Sequence, residues 1–356
     1  MKLFTTEQVS KWHPDKYADQ ISDAILTMIY KRDKEAHVAV ETMVKGNTIV
    51  LAGEVESVAH FNKDDFKARA RTVGRKLGYA TDEIVYMIGE QSREISRAVK
   101  RGGELKAGDQ GMMFGYAVGN TKSMLPFGFE FANALIHKLE NDIETNRKSI
   151  FVGDAKCAVT VDLQKKDSAS LNTILVSACH RFDSDIKEVR KEAERLISEL
   201  LEEYKIMYEP RLIINPAGKW VQGGPTTDCG LTGRKIVCDS YGGYVPAGGG
   251  AFSGKDPSKV DRSGAYMARK MAREATRRFE LDYCEVQLAY AIGRAEPISI
   301  GVRCSARDLE AEIEKWMRNE YNMTPNGIIE SLDLRHVDFE KVSEGCHFRP
   351  ESGLKC

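Results

Sequence analysis

A chain of 356 residues with 42% hydrophobic and 29% charged residues has the make-up of a globular protein, and its length suits two or three domains better than one core. The formal net charge of −1 argues against a dedicated nucleic-acid binder, which usually carries a basic face, and no apolar run approaches the ~18–20 residues of a membrane span. Eight scattered cysteines without a C-x-x-C pair argue against a zinc site or a disulfide framework, and the first sixteen residues lack the apolar core of a secretory signal. A cytoplasmic protein with free thiols is expected.

In chain order, Tyr17, Ile21, Ile25, Met28 and Ile29 mark one face of a helix. Strands are predicted at His37–Val44 and Thr48–Glu56 around a Gly46-Asn47 turn, followed by a basic amphipathic helix over Asp64–Leu77. Helix Glu130–Asn146, strands Lys156–Leu163 and Thr173–Cys179 and helix Asp185–Tyr204 repeat the order, and Asp261–Phe279, Cys284–Ile292, Ile298–Cys304 and Ala306–Tyr321 repeat it again. This helix–strand–strand–helix pattern predicts an α+β fold of three similar domains, each an antiparallel sheet covered by helices. Residues 91–128 and 215–256, rich in Gly and polar residues, read as long loops that carry function.

The most distinctive segment is Gly248-Gly249-Gly250-Ala251-Phe252-Ser253-Gly254-Lys255-Asp256-Pro257-Ser258-Lys259-Val260-Asp261. Its glycines permit close approach to a ligand, and Lys255 and Lys259 suit phosphate. Gly249, Gly254 and Lys255 fit the G-x-x-x-x-G-K of a P-loop, but Asp256 stands where that motif needs Ser or Thr. A polyphosphate site outside the P-loop class is implied.

Other segments extend the pattern. In His13-Pro14-Asp15-Lys16 a helix start accounts for Pro14 and Asp15 but not for the adjacent His and Lys, and a helix N-terminus attracts anions. If Gly46-Asn47 is a two-residue turn, Glu41 and Glu54 lie diagonally on one sheet face, as solvated residues or as ligands of a cation or amine, whereas a three-residue turn puts them on opposite faces. Asp109 sits in a Gly-flanked turn, Asp154 and Lys156 at the start of a strand, and Lys219 and Trp220 between glycine-bearing turns, where an indole can stack on a base. Asp228, Arg234 and Lys235 join an acid to adjacent cations. Lys156, Arg234, Lys235, Lys255 and Lys259, with Asp15 and Asp261, suit a long polyphosphate bound with magnesium.

His13 through Lys16, Gly108-Asp109-Gln110-Gly111, Asp228-Cys229-Gly230-Leu231-Thr232-Gly233-Arg234-Lys235 and Gly248 through Asp261 together resemble the S-adenosylmethionine synthetase (methionine adenosyltransferase) family, in that family's order from Phe4 to about Arg335. The resemblance implies three domains around a pseudo-threefold, at residues 1–91, 106–222 and 223–350, with 92–105 as a mobile active-site loop. It implies joining of ATP to L-methionine by sulfur attack on C5′, release of tripolyphosphate and its hydrolysis to pyrophosphate and phosphate. By the same resemblance His13, Lys156, Arg234 and Lys255 are catalytic. His13, Asp154, Lys156, Lys219, Trp220, Asp228, Arg234, Lys235, Ala251 and Lys255 bind ATP, and Glu54, Gln91, Asp228 and Lys259 bind methionine. Asp15 and Asp261 hold magnesium, two ions per site, and Glu41 holds potassium. A homodimer or dimer of dimers with shared sites is implied, without nucleic-acid or membrane partners.

The sequence departs from the family pattern at Trp12, where a Gly is usual, and at Trp220, where a Phe is usual. The stretch between Gly78 and Gln91 and the C-terminal tail are shorter than is typical, and the loop from Gln91 to Arg101 has an unusual sequence. These differences leave open a member with altered thioether specificity, and a catalytically silent regulatory partner is the reading of another class.

Overall fold

Lys45 pairs with Thr48 and Glu41 with Ala52 around a tight turn in which Gly46 takes φ +56, so the hairpin expected from Gly-Asn forms, and of the two possible turns it is the two-residue one that puts Glu41 and Glu54 on one face. The computed structural model describes residues 1–90, 105–165 and 170–356. Along the chain run β1 (Leu3–Val9), α1 (Pro14–Tyr30), β2 (His37–Lys45), β3 (Thr48–Glu56), α2 (Lys63–Lys76), β4 (Glu83–Gly89), β5 (Gly111–Val118), α3 (Phe127–Thr145), β6 (Phe151–Asp162) and β7 (Leu171–His180). There follow α4 (Ile186–Glu203), β8 (Arg211–Ile214), β9 (Gly230–Leu231), α5 (Ile236–Asp239), α6 (Val260–Arg278), β10 (Tyr283–Tyr290), β11 (Ser299–Cys304), α7 (Glu310–Glu320), α8 (Pro325–Leu332) and α9 (Phe339–Val342).

The fold is α+β, with three helix-covered sheets ordered β4-β3-β2-β9, β1-β6-β7-β8 and β11-β10-β5. Pairing is antiparallel except for the edge strands β4 and β8, which run parallel to β3 and β7. Helix α1 packs on β2, α3 on β6 and β1, and α6 on β5 and β10. One continuous apolar core joins α1, α6 and the first and third sheets. A second core, around Phe131, Leu135, Ile174 and Val189, lies between the middle sheet and α3 and α4.

Each sheet also takes a strand from a distant part of the chain: β1 pairs with β6, β5 with β10 and β9 with β2. Strands β1, β4 and β8 were not expected from the sequence, and β6 starts at Phe151 rather than Lys156. The reading of 91–128 as loop is corrected at Gly111–Val118, which is a full strand. Its Gly115 is not a loop signal. A Cβ there would stand 2.0 Å from the Ala268 carbonyl, so glycine is what lets α6 lie directly on β5.

The outer face of the first sheet carries an apolar row beside the charged Glu41, Glu54 and Lys45. Leu231, Met43, Val50 and Val85 stand in register across all four strands, and neighbouring Met87 is 64% exposed.

Candidate active site

The turn between β1 and α1 is stitched to β6. Val9 pairs with Lys156, the Ser10 amide donates to the Ala155 carbonyl, and the Ala155 amide donates to Ser10 Oγ. This brings Asp154 and Lys156 to the N-terminus of α1. There His13 is the N-cap, its Nδ1 accepting the Asp15 amide N–H at 3.1 Å. An accepting Nδ1 places the ring proton on Nε2, which is buried and has no partner. Burial, reinforced by Lys235 and Lys156, lowers the His13 pKa to about 3, so the imidazole is a neutral donor among cations.

Asp15 is buried, with Oδ1 accepting from the Leu231 amide at 2.9 Å and Oδ2 bound to Lys235 Nζ at 2.6 Å. Burial opposes its charge, but the Lys235 bond and the Leu231 amide outweigh it and hold the carboxyl below its ordinary value. Arg234 Nη1 lies 3.7 Å from Asp15.

Asp154 is 5% exposed. Its Oδ2 accepts the Gly224 amide at 3.0 Å, its Oδ1 has no partner, and burial raises its pKa to about 6 against the pull of Gly224 and Lys156. Gly223 is pinched between Asp154 and Trp220, since a Cβ on it would meet them at 2.8 and 3.3 Å. The indole is half-exposed and is anchored by Nε1–H to the Gln222 carbonyl at 2.7 Å. A cavity of about 560 Å³ opens here, lined by Trp12, Tyr79, Asp154, Gln222 and Gly223 among others.

A second group gathers on the glycine-rich loop. Asp256 belongs to the scaffold: its Oδ2 accepts the Val38 amide at 2.7 Å and its Oδ1 the Ser258 amide at 2.8 Å, fastening the loop to the edge of β2. A P-loop hydroxyl at this place has one oxygen where Asp256 uses two to hold both amides. Lys255 opposes Ala39 in an isolated bridge, so it leaves the sheet on the face that carries Glu41 and Glu54. Lys255 Nζ binds Asp261 at 2.5 Å, and Lys259 Nζ lies 3.5 Å from Asp256. Gly250 leaves room for the Asp261 carboxylate, which a Cβ would meet at 2.6 Å.

The two groups lie along α1, one at its first turn beside Asp15, the other beside Asp23, whose Oδ1 accepts the Gly254 amide at 2.8 Å. Eight helical residues separate Asp15 and Asp23 by ~12 Å along the axis. The structure therefore joins His13, Asp15, Asp154, Lys156, Arg234 and Lys235 in one cluster and Lys255 with Asp261 in another, Glu41 and Glu54 lying on the sheet face that Lys255 shares. Ala251 meets the first cluster at Gly233, whose Cβ would stand 2.4 Å from that of Ala251. Asp228 and Lys219 are exposed beside it, Asp228 accepting the Cys229 amide at 2.8 Å. Gln91 lies outside the described residues, as do 92–104 of the loop expected to be mobile.

Sequence reading passed over Asp19, Asp23, Asp239 and Arg262, all essentially fully buried. The available signal was the i, i+4, i+8 spacing of Asp15, Asp19 and Asp23 on a helix whose other face is apolar. Among the described residues no three His, Cys, Asp or Glu side chains converge as a metal cage. Single carboxylates fit magnesium, which keeps waters and takes further oxygens from phosphate.

Three profiles describing the N-terminal, central and C-terminal domains of S-adenosylmethionine synthetase match residues 1–101, 104–220 and 222–354. The chain belongs to the S-adenosylmethionine synthetase family. It is 41% identical to the S-adenosylmethionine synthase of Helicobacter pylori strain J99, over 98% of this chain and 93% of the relative. The synthase of Helicobacter acinonychis strain Sheeba matches with the same identity and coverage. Among solved structures, that of an unusual S-adenosylmethionine synthetase from Campylobacter jejuni superposes with a TM-score of 0.88 at 32% identity, covering 99% of this chain and 96% of that one. The two clusters thus sit on a scaffold that the family shares over nearly the whole chain.

Proposed function

We propose that the chain forms S-adenosylmethionine from ATP and L-methionine, by attack of the methionine sulfur on C5′, and hydrolyses the released tripolyphosphate to pyrophosphate and phosphate. The observation that carries this reading is the neutral, buried His13, whose free Nε2–H stands in the field of Lys235 and Lys156. A thioether is nucleophilic without losing a proton, so no general base is needed. The barrier lies in alignment and in charge gathering on the leaving oxygen. His13 Nε2–H donates to that oxygen, and Lys156, Arg234, Lys235 and Lys255 neutralise the phosphate chain.

Trp220 stacks on adenine beside the 560 Å³ cavity, with Asp154, Lys219, Asp228 and Ala251 completing the nucleotide site. Glu54, Gln91, Asp228 and Lys259 hold methionine. Asp15 and Asp261 would each hold a magnesium ion and Glu41 a potassium ion; bound magnesium withdraws charge from the phosphate oxygens.

A working site needs two chains. Lys255 and Asp261 lie away from the His13 cluster within one chain, and Glu41 and Glu54 border the apolar row Leu231–Met43–Val50–Val85. Exposed apolar faces of this kind mark protein interfaces. A homodimer or dimer of dimers that closes on this face supplies each site with residues from both chains. Among the described residues no helix is long and apolar enough to cross a membrane, in keeping with action in the cytoplasm.

The test is incubation of the purified protein with ATP, methionine, magnesium and potassium, read by mass spectrometry and phosphate release. A sulfonium product with one pyrophosphate and one phosphate per turnover is expected. ATP left unchanged would sink the reading and favour a silent partner, whereas product from ethionine alone would favour altered thioether specificity.

A further inference from the structure

Helix α1 carries Asp15, Asp19 and Asp23 four residues apart, on one buried face and ~6 Å apart along the axis. Each carboxylate accepts one backbone amide from a loop that bears proposed phosphate-binding cations. Asp15 takes the Leu231 amide at 2.9 Å, Asp19 Oδ1 the Gly233 amide at 2.8 Å and Asp23 Oδ1 the Gly254 amide at 2.8 Å. The last two amides belong to glycines in the left-handed region, Gly233 at φ +78 directly before Arg234-Lys235 and Gly254 at φ +81 directly before Lys255.

Neither carboxylate is free to turn. Asp19 Oδ2 accepts from Lys16 Nζ at 3.1 Å, and Lys16 is tied to Asp239 at 2.6 Å. Asp23 is gripped in bidentate fashion by Arg262, Nη1 to Oδ1 and Nη2 to Oδ2, both at 2.7 Å, while Arg262 Nη1 also donates to the Lys255 carbonyl at 3.1 Å. A single rigid helix thereby fixes where two separate cation loops leave the fold. Loop backbone held by buried, fully engaged acceptors is preorganised, whereas a loop fixed only by its ligand must be ordered on binding.

We propose that Asp19 and Asp23 are positioning residues, which set the Arg234-Lys235 and Lys255 backbones at the spacing that a bound tripolyphosphate requires. The inference rests on the reading of these cations as the polyphosphate site. Neither acid touches substrate; each acts through a glycine amide.

Two double variants isolate the amide bond from the buried charge pair. Asp23→Asn with Arg262→Met removes both charges but keeps an oxygen for the Gly254 amide. Asp23→Leu with Arg262→Met removes the charges and the acceptor while keeping a γ-branched side chain. Each is assayed for circular dichroism, tripolyphosphate affinity by calorimetry, and single-turnover sulfonium formation per folded protein. The Leu form is expected to bind tripolyphosphate about 10-fold more weakly than the Asn form and to react about 10–100-fold more slowly, since small misplacements of catalytic groups cost rate steeply. Equal affinities and rates in the two folded forms would overturn the proposal. An affinity difference in a protein whose wild type makes no sulfonium would uphold it and sink only the proposed reaction.

Hydrogen–deuterium exchange on the unaltered protein gives a second arm that no folding failure can remove. The Gly233 and Gly254 amides should exchange as slowly as those inside α1 without any ligand, and exchange at the rate of open loops would overturn the assignment.

Discussion

The amide of Asp15 donates to His13 Nδ1 at 3.1 Å, and this one bond decides the chemistry available at the start of α1. It fixes the tautomer with the proton on Nε2 and leaves that buried N–H without a partner. Burial, with Lys235 and Lys156 nearby, takes the pKa to about 3, well below the ordinary 6.5. Between these values the unfolded chain binds a proton that the folded chain refuses. Stability from this group therefore rises with pH from about 3 to 6.5 and is flat above.

His13→Ala should slow sulfonium formation by about 10²–10³-fold, the usual effect of removing one preorganised donor to a developing oxyanion, while ATP affinity changes far less. The His13 ring resonances should not titrate above pH 5. Equal losses in rate and ATP affinity would assign His13 to ground-state binding, and an inflection at pH 6–7 that disappears in His13→Ala would show a titrating imidazolium.

Asp154 illustrates the opposite shift. Its folded pKa, about 6, lies above the ordinary 3.8 because burial disfavours the carboxylate. The folded state then holds the proton more tightly, so stability from this group declines as pH rises from about 4 through 6. Asp154→Asn keeps an oxygen for the Gly224 amide and removes the charge. It should stabilise the protein by about 1–3 kcal/mol at pH 8, taking ~1.4 kcal/mol per pKa unit, with the gain falling below about pH 6 and lost by about pH 4 in thermal melts. ATP affinity should fall in the same variant. A destabilised Asp154→Asn at pH 8 would contradict the burial cost.

These features differ in how far the sequence exposes them. The helices and the paired strands β2 and β3 follow from apolar period and turn chemistry, both local, and the motif residues follow from dense runs of Gly, Lys and Asp. Strand exchange was hidden because the pairings of β1 with β6 and β5 with β10 depend on contacts far apart in sequence. The buried role of Asp19 and Asp23 was hidden for a related reason: their partners, Gly233, Gly254 and Arg262, are more than two hundred residues away. Asp256 shows the same limit, reading locally as a flawed P-loop position while its bond to the Val38 amide makes it an anchor. The split of the site into two clusters was likewise not visible, since motif order says nothing of distance.

Lys16 offers a direct measure of the buried charge network. Its Nζ lies between Asp239 and Asp19 with no solvent contact; burial works against the ammonium, but the two carboxylates outweigh it and raise the pKa above the ordinary lysine value. Lys16→Met strands two buried acids and should cost about 3–5 kcal/mol in urea unfolding, as breaking one side of a buried pair generally does. Adding Asp239→Asn should recover part of that loss, giving a clear non-additive cycle. Additive losses would mean that the pair is energetically uncoupled despite its 2.6 Å contact.

The separation of His13 from Lys255 along α1 yields a test of shared sites. His13→Ala and Lys255→Ala chains should each be nearly inactive as homodimers. When they are dissociated, mixed and reassembled, a hybrid pair contains one site with both defects and one with neither. Random reassortment in a two-fold dimer then restores up to about a quarter of wild-type activity. Placing charge on the apolar sheet face with Val50→Glu and Met87→Glu should abolish both the dimer, by light scattering, and the complementation, while the folded monomer survives because that face is not part of the core. If the site were built within one chain, mixing would restore nothing and the charged monomer would keep its activity.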